Sequence, residues 1–286
     1  MSADQNHHYL PQNYQRGWTD SEGRVRVCRW WHDKLVCDPK PTKATGGRAG
    51  LYYIPMAPPE GRNFMEDVFW KKVDQWGSDG LNLLRSSDPD SVSKIKLERL
   101  AIYILSLELR NPRKVMEIEA QAKLHVLEGL LAEDYASHRR PHEPATFEEF
   151  KEALEQPGLT EHGALCLQNL VLNNPIRKRL MAMDWQLVSV RDGTPIITSD
   201  VPLVRYKGMR DPDGLWLLPL SPTEFLAIFN DGVIDMRRSI ERNIADGVFI
   251  EAMNKYVVQH KIDYVYGVQP EQMDFVRRYW AVEPES

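Results

Sequence analysis

The chain has 286 residues, of which 42% are hydrophobic and 27% are charged, and its formal net charge is −5. This composition is typical of a globular protein with a buried core. The negative charge argues against a general basic surface for nucleic acid, so any such contact would be local. No apolar run approaches the roughly 18 residues that span a bilayer, and the N-terminus lacks the order of a signal peptide. We expect a cytoplasmic protein with no membrane partner, and the oligomeric state is left open.

Three cysteines, Cys28, Cys37 and Cys166, argue against a disulfide framework in a chain of this size. Cys28 and Cys37 flank a predicted turn and could lie close across two strands. We nevertheless expect two reduced thiols and no disulfide. A zinc site would need four ligands, and His32 is the only histidine nearby.

The N-terminal region is predicted to hold a short helix and a β-hairpin. In HHYLPQNYQRGW, Pro11 pre-sets the φ of a first helical turn and Gly17 ends the helix. The alternating stretch GRVRVCRWW, the turn HDK and the continuation LVCD predict a hairpin over 24–38. Residues 39–62 are rich in Pro and Gly and predict a long surface loop, with a lid over a pocket as the functional alternative.

The helical spacing of apolar residues predicts a block of helices over 63–181. FMEDVFWKKVDQW begins the block, and SVSKIKLERLAIYILSLELR is apolar nearly all round its second half, as in a central buried helix. Pro112 breaks this helix and starts the next one, over 112–137. A last helix is predicted over 160–181, with Pro175 inside it.

The remaining chain is dominated by short strands with turn signals. DWQLVSV and PIITSD predict two strands joined at Asp192-Gly193, a strong hairpin dipeptide. LVRY, LWLLPLS and EFLAIFN predict further strands, residues 235–260 a helical segment, and DYVYGV a last strand followed by a closing helix.

The predicted fold class is α+β. An antiparallel sheet, mainly from residues 184–230 and 262–268 and joined or flanked by the N-terminal hairpin 24–38, packs against the helical block 63–181. Because the helical and strand regions interleave along the chain, we predict a single domain over 1–286, with the helical block as a subdomain.

Two adjacent histidines, His7 and His8, stand near the N-terminus. In a strand they would face opposite sides, and in a helix they would diverge by about 100°, so they are not expected to bind one metal together. One could serve as acid or base while the other packs. The alternative is a structural histidine bonded to backbone, with Tyr9, Tyr14 and Trp18 around it.

The stretch ITSDVP places Thr198, Ser199 and Asp200 at the end of a strand, where catalytic groups are common. The alternative is a turn in which Ser199 and Asp200 bond their own backbone and Pro202 fixes the exit. A Ser-Asp pair with a distant histidine resembles a nucleophilic triad. The G-x-S-x-G elbow is absent, so this resemblance is weak.

Arg110 ends the most apolar predicted helix, where an unpaired buried charge would be costly. It could form an ion pair with Glu66 or Asp200, or bind a phosphate or carboxylate with its guanidinium fork. Ser221 in the PLSP stretch could point into the space of the ITSDVP loop or belong to a plain turn. Asn254 is a further polar candidate that could equally be a surface residue.

Taken in order, several stretches resemble a bacterial family of unknown activity, domain-of-unknown-function family 4238. HHYLPQNYQRGW resembles the family's HHYVPQFYLRGF, LRNPR its helix-ending Arg-x-Pro, DWQLVSVRDGTPIITSDVP its Trp…Thr-Ser-Asp-x-Pro, and LPLSP its Pro-Leu-Ser-Pro. These matches cover about residues 6–267. Asn13 and Gln15 depart from it, since an aromatic and a leucine are usual there.

The resemblance points to candidate site residues but implies no reaction. The family often carries two glutamates a few turns apart in the helical block; here only Glu66 is clear, and Trp70 or Val73 falls near the second position. The polar candidates match the family's motifs, which favours either a site or a fully bonded buried network. These residues are His7, His8, Arg110, Ser199, Asp200, Ser221 and Asn254.

We predict a hydrolase-like enzyme that acts on a phosphate-bearing substrate, a nucleotide or nucleic acid. His7 or His8 would be the general acid or base, with Asp200 orienting it. A variant of this hypothesis has Asp200 and the histidine share a divalent metal, whose identity is unknown. The predicted substrate-binding residues are Arg110, Ser199, Ser221 and Asn254. The alternatives are a non-catalytic ligand-binding or sensing protein, in stress or phage defence, and a purely structural buried polar network.

Overall fold

In the computed structural model of the chain, antiparallel sheets pack against helices, which confirms the α+β class. The structure describes residues 5–86, 93–129, 131–156, 158–173, 175–191, 193–230, 235–245 and 247–282. The strands are β1 Asn6–His8, β2 Arg24–Trp31, β3 Lys34–Pro41, β4 Gly47–Ala49, β5 Asp184–Ser189, β6 Thr198–Ser199, β7 Val204–Tyr206, β8 Leu215–Ser221, β9 Glu224–Phe229 and β10 Val265–Tyr266.

The helices fall mainly between the N-terminal strands and β5. They are α1 Gln12–Gln15, α2 Lys71–Ser86, α3 Lys94–Leu109, α4 Pro112–Gly129, α5 Ala132–His138, α6 Phe147–Leu154, α7 Glu161–Leu172, α8 Pro175–Leu180, α9 Met236–Ala245, α10 Val248–His260 and α11 Met273–Trp280. A π-helical turn, Met65–Trp70, leads into α2, and 3-10 turns span Arg16–Trp18, Thr42–Ala44 and Pro270–Gln272. Within the described residues, no helix is both long and apolar enough to cross a bilayer.

The strands form two four-stranded antiparallel sheets and one two-stranded pair. The hairpin sheet has the order β3-β2-β10-β6, the C-terminal sheet has the order β5-β9-β8-β7, and β1 pairs with β4. The one sheet predicted over 184–230 and 262–268 is therefore divided, because β10 pairs with the N-terminal hairpin and not with the C-terminal sheet.

The hairpin predicted across Asp192-Gly193 is wrong, since β5 and β6 lie in different sheets. Asp192 itself lies outside the described residues. The backbone of the segment before β6 bonds elsewhere: Ile196 N–H donates to the carbonyl of Pro222, and Ile197 N–H donates to the side chain of Asn254. These bonds direct the chain to β10.

The hairpin over 24–38 is confirmed and extends to Pro41. His32 and Asp33 form its turn with φ angles of 44° and 60°, in the left-handed region that a two-residue hairpin turn requires. Cys28 and Cys37 are directly opposed in the register and form a disulfide, so the expectation of reduced thiols is wrong. The number of cysteines in a chain does not reveal a pair that is joined across two strands, because such a pair depends on the register of the strands.

The segment 39–62 is not the predicted surface loop. Its strand β4 pairs with β1, and Leu51, Tyr52 and Ile54 are buried in the core. The Pro and Gly residues shape this segment, but its apolar side chains hold it against the body of the protein. The structure therefore gives this segment a packing role, and a lid over a pocket stays a prediction.

The helical block over 63–181 is present, and α3 is the buried central helix that its sequence predicted. The helix predicted over 112–137 is divided into α4 and α5, and the one predicted over 160–181 into α7 and α8. Pro175 begins α8, as expected of a residue with a helical φ and no N–H to bond.

Each of the two four-stranded sheets lies between the same two apolar clusters. In β2, Val27 faces the cluster that contains α3, whereas Cys28 faces the cluster that contains α10. This alternation follows from the two-residue period of a strand. The first cluster joins N-terminal, helical and strand residues, but a single domain over 1–286 stays a prediction.

The N-terminal segment packs between the helical block and the sheets. The Tyr14 hydroxyl donates to the carbonyl of Pro219 over 2.7 Å and lies 2.8 Å from the Thr198 hydroxyl, and Trp18 Nε1 donates to the carbonyl of Ile196. Gly17 passes so close to β8 that a Cβ there would overlap the carbonyl oxygen of Leu220. The segment is thus a folded part of the core.

The Gly17→Ala substitution should lower the free energy of unfolding by about 2 kcal/mol, since an added methyl group in a filled space forces the backbone apart. Gly208→Ala is the matched control, because a Cβ at Gly208 meets nothing within 4 Å. Urea unfolding of both variants measures the effect. Equal stability of the two variants would contradict the packing of Gly17 against β8.

Candidate functional site

A polar cleft of about 330 Å³ opens between the N-terminal segment and the helical block. We call it the N-terminal cleft. Its N-terminal side includes His8, Gln12, Asn13 and Arg16, and its helical side includes Glu66, Trp70, Lys71, Asp74, Gln75 and Ser78. Acidic, basic and imidazole groups therefore face one another across a space that admits a small ligand.

His8 is held at this cleft by Glu66. The backbone N–H of His8 donates to Glu66 Oε1 over 3.0 Å, and the imidazole Nδ1 lies 3.6 Å from the same oxygen. The other ring nitrogen, Nε2, lies 3.3 Å from the carbonyl of Lys43. A histidine beside a carboxylate in this way can exchange protons while its ring keeps a fixed orientation.

The π-helical turn places a second carboxylate beside Glu66. Asp74 follows eight residues later, and in a regular α-helix two such residues diverge by roughly 80°. A π turn takes up one residue more than an α turn, and this brings Asp74 onto the wall that also holds Glu66. Asp74 therefore supplies a second carboxylate to this wall, one turn beyond Trp70 and next to Val73, where the resemblance led us to look for it.

Arg110 lies fully buried directly behind this wall. Its Nη1 donates to Asp74 over 2.7 Å, and its guanidinium lies 5.3 Å from the centre of a Trp70 ring. Its Nε and Nη2 atoms are also buried and find no hydrogen-bond acceptor among the described residues. These two atoms form the side of the guanidinium that binds a carboxylate or phosphate through two parallel bonds.

His7 faces away from the cleft and packs on Tyr52. Its Nδ1 accepts the backbone N–H of Tyr52 over 2.8 Å, and the two rings stack 5.7 Å apart. Burial lowers the pKa of His7 below 6.5, although the charge of Glu66 opposes this shift. The neutral ring therefore carries its proton on Nε2, which is buried beside the side chain of Asn63.

Asp200 lies at the end of β6 and binds backbone. Its carboxylate accepts the N–H groups of Ile262, Asp263 and Tyr264 at 2.8, 2.7 and 3.0 Å. Burial raises the pKa of Asp200 to about 6, and these three donors oppose the shift. The contacts tie β6 to the loop that leads into β10.

The other predicted site residues near the strand ends also bond to backbone. Asn254 accepts from Ile197 N–H and donates to the carbonyl of Pro195. The Ser199 hydroxyl donates to the carbonyl of Val201, and the Ser221 hydroxyl accepts from Thr223 N–H. These contacts fix turns and strand ends.

The predicted site residues thus fall into two groups. His8 lines the N-terminal cleft, Arg110 lies behind its wall and His7, next to His8, faces away from it. The strand-end group consists of Asp200, Ser199, Ser221 and Asn254. Between the described residues, no hydrogen bond or ion pair joins Asp200 to either histidine or to Arg110. The N-terminal segment reaches Thr198 through Tyr14 instead of a histidine.

The sequence did not single out Asp74, Arg16 or Lys71. The eight-residue spacing from Glu66 could have pointed to Asp74 only if the π turn had been known. The departures Asn13 and Gln15 also make specific contacts: Asn13 donates to the carbonyl of Asp74, and Gln15 donates to that of Leu10. The described residues contain no group of three or more His, Cys, Asp or Glu side chains placed to hold a metal ion.

These features define an α+β protein with a mixed-charge cleft between its N-terminal segment and its helical block. The chain belongs to the family described as "Protein of unknown function (DUF4238)", whose model matches residues 6–270. No curated protein and no solved structure matches the chain.

The Asp200→Asn substitution should lower the free energy of unfolding by about 3 kcal/mol, because an amide replaces one acceptor oxygen by a donor that faces buried N–H groups. Asp263→Asn is the matched control, since the Asp263 side chain is exposed. Thermal and urea unfolding measure the difference. A stable Asp200→Asn protein would argue against a structural role for this carboxylate.

Stability should also depend on the protonation of His7. Because its pKa is lowered by folding, the unfolded chain binds the proton more readily, and the free energy of unfolding falls as the pH drops below 6.5. His7→Gln keeps an acceptor for Tyr52 N–H but removes this titration. Urea unfolding between about pH 7 and pH 5 should show a smaller loss in the variant. If the free energy of unfolding fell equally with pH in the two proteins, His7 would not be neutral and buried. Asp200 titrates in both proteins, so its contribution cancels when they are compared.

Proposed function

We propose that the N-terminal cleft is the active site of a hydrolase that acts on a phosphate-bearing substrate, a nucleotide or nucleic acid. The observation that carries this proposal is the pairing of His8 with Glu66 on the cleft wall, with 3.6 Å between Nδ1 and Oε1. A histidine oriented by a carboxylate is well suited to general acid–base catalysis near neutral pH.

In the proposed reaction, His8 accepts a proton from a water molecule as the water oxygen attacks phosphorus. The bond from phosphorus to the leaving oxygen breaks, and His8 returns the proton to that oxygen. Because Nε2 faces the carbonyl of Lys43 and carries the ring proton there, Nδ1 is the nitrogen that takes up and returns the proton, and Glu66 lies beside it as the partner of the resulting imidazolium. Asp74 completes the acidic wall and is neutralised from behind by Arg110.

Two cations at the cleft support binding of the phosphate. Arg16 is exposed and has no ion pair among the described residues, and Lys71 is exposed with only a 3.8 Å contact to Asp67. We assign them to the anionic part of the substrate. Arg110 remains a proposed anion-binding residue, because its unpartnered Nε and Nη2 lie directly behind Trp70 and Asp74.

The strand-end group is assigned a positioning role in this proposal. Asp200, Ser199, Ser221 and Asn254 hold the strand ends on which Tyr14 and Trp18 rest, and this fixes the segment that carries His8. Their effect on activity would be exerted through the N-terminal segment and not by contact with substrate.

A non-catalytic ligand-binding protein is the second candidate. The observation in its favour is the buried guanidinium of Arg110, whose Nε and Nη2 have no acceptor within the described part of the chain and would suit a bound anion whether or not any bond is broken. The two candidates differ in turnover. A binding protein would show a melting shift with a nucleotide and no product at any enzyme concentration.

A cytoplasmic location is also part of the proposal. A disulfide such as Cys28–Cys37 is more typical of oxidising compartments. Fractionation of cells that make the native chain, with thiol labelling of the recovered protein, tests the location and the state of the two cysteines together.

The His8→Ala and Glu66→Gln substitutions should each lower the rate of hydrolysis by about 100-fold or more, as expected when a general base or its partner is lost. The assay measures product formation from nucleoside triphosphates and from single-stranded RNA and DNA. His138→Ala is the matched control, since His138 is an exposed histidine at the end of α5 whose ring bonds to Asp134 and Ser137 of the same helix.

Circular dichroism and thermal unfolding establish that each variant is folded. Full activity of the folded His8→Ala protein would overturn the proposed role of the cleft. An equal loss in His138→Ala would show that the measured activity does not depend on the cleft.

A further inference from the structure

A second candidate surface lies at the tip of the N-terminal hairpin and shares no residue with the N-terminal cleft. Trp30 and Trp31 end β2 just before the turn, with 42% and 50% of their surfaces exposed. We define the hairpin-tip surface as the set of six residues Arg29, Trp30, Trp31, Lys34, Lys261 and Trp280. Exposed adjacent tryptophans are uncommon on a monomer surface and indicate a contact with another molecule.

The aromatic rings of this surface provide flat stacking positions on both faces of the hairpin. Trp30 and Trp31 point to opposite faces because they are neighbours in a strand. On one face, Trp280 of α11 lies 6.2 Å from Trp30 with an angle of 30° between the ring planes. On the other face, Trp31 stands beside the turn residue His32.

Each of these faces also carries a cation. The Lys261 ammonium lies 4.3 Å from the centre of the Trp280 ring, and the Arg29 guanidinium lies 4.6 Å from that of Trp31. Lys34 is exposed and directly opposes Trp31 in the strand register. Asp33 is the only acidic residue between Arg29 and Lys34 in the sequence, so cations outnumber acidic residues within the hairpin itself, whereas Lys261 interacts with Asp200 and Asp263.

We propose that the hairpin-tip surface binds single-stranded nucleic acid. Unpaired bases would stack on Trp30, Trp31 and Trp280, and the phosphates would contact Arg29, Lys34 and Lys261. Aromatic side chains interleaved with cations are the recurrent means by which proteins hold single strands without reading their sequence. A duplex keeps its bases stacked on one another and offers these rings no face, so it would bind more weakly.

The hairpin strand β3 lies at the edge of its sheet, so its outer edge has no neighbouring strand among the described residues. The inference goes beyond the proposed hydrolase function and does not depend on it. Binding at the hairpin tip would persist in a protein whose cleft is inactive, such as His8→Ala.

The experiment uses the full chain and a fluorescently labelled twelve-nucleotide oligothymidylate, with binding followed by anisotropy at low and moderate salt. Trp31→Ala and Trp30→Ala should each weaken binding about ten-fold, the loss expected for one stacked base. Lys34→Gln should reduce the dependence of affinity on salt, because one phosphate contact is lost. Tyr206→Ala is the matched control, since Tyr206 is an exposed aromatic residue at the end of β7, in the other four-stranded sheet, and also has a lysine, Lys207, beside its ring.

Unchanged affinity in the folded Trp30→Ala and Trp31→Ala proteins would overturn the proposal. Equal or tighter binding of a duplex with the same labelled strand would overturn it as well. Vesicles with anionic headgroups form a separate arm, because tryptophan and lysine also favour a membrane interface. Binding to vesicles without binding to the oligonucleotide would assign this surface to lipid.

Discussion

The π-helical turn Met65–Trp70 is the constraint on which the N-terminal cleft depends. By taking up one extra residue it brings Glu66 and Asp74 onto a single wall, and it sets Trp70 between the cleft and the buried Arg110. Glu66 then binds both the backbone and the imidazole of His8. A regular helix with the same sequence would separate these two carboxylates and remove the acidic partner of either His8 or Arg110.

The polar motif residues have two different tasks in this structure. One group lies at the cleft, where the His8 imidazole is beside Glu66 and two buried nitrogens of Arg110 have no acceptor among the described residues. The other group, centred on Asp200, is bonded to backbone and orders the strand ends. The N-terminal segment connects them, because Tyr14 binds the strand ends while His8, a few residues earlier, faces the helical wall. The site therefore depends on a folded N-terminus as well as on individual side chains.

Local features could be predicted from the sequence because they depend on residues near one another. The hairpin of β2 and β3 follows from alternation and a turn, and the buried α3 from its apolar surface. The pairing of β10 with β2 joins residues more than two hundred positions apart, and no local pattern encodes it. Asp74 was missed for a related reason. Regular helical spacing would place it away from the cleft wall that holds Glu66, and the π turn changes this spacing. The disulfide depended on the exact register of the hairpin.

The central claim is that the N-terminal cleft binds a phosphate group beside His8. A crystal structure of the protein soaked with inorganic phosphate or vanadate tests it most directly. We expect a tetrahedral anion in the cleft, within hydrogen-bond distance of the His8 ring and of Arg16 or Lys71. A cleft that stays free of the anion at saturating concentration, or an anion bound only at the strand-end group around Asp200, would contradict it.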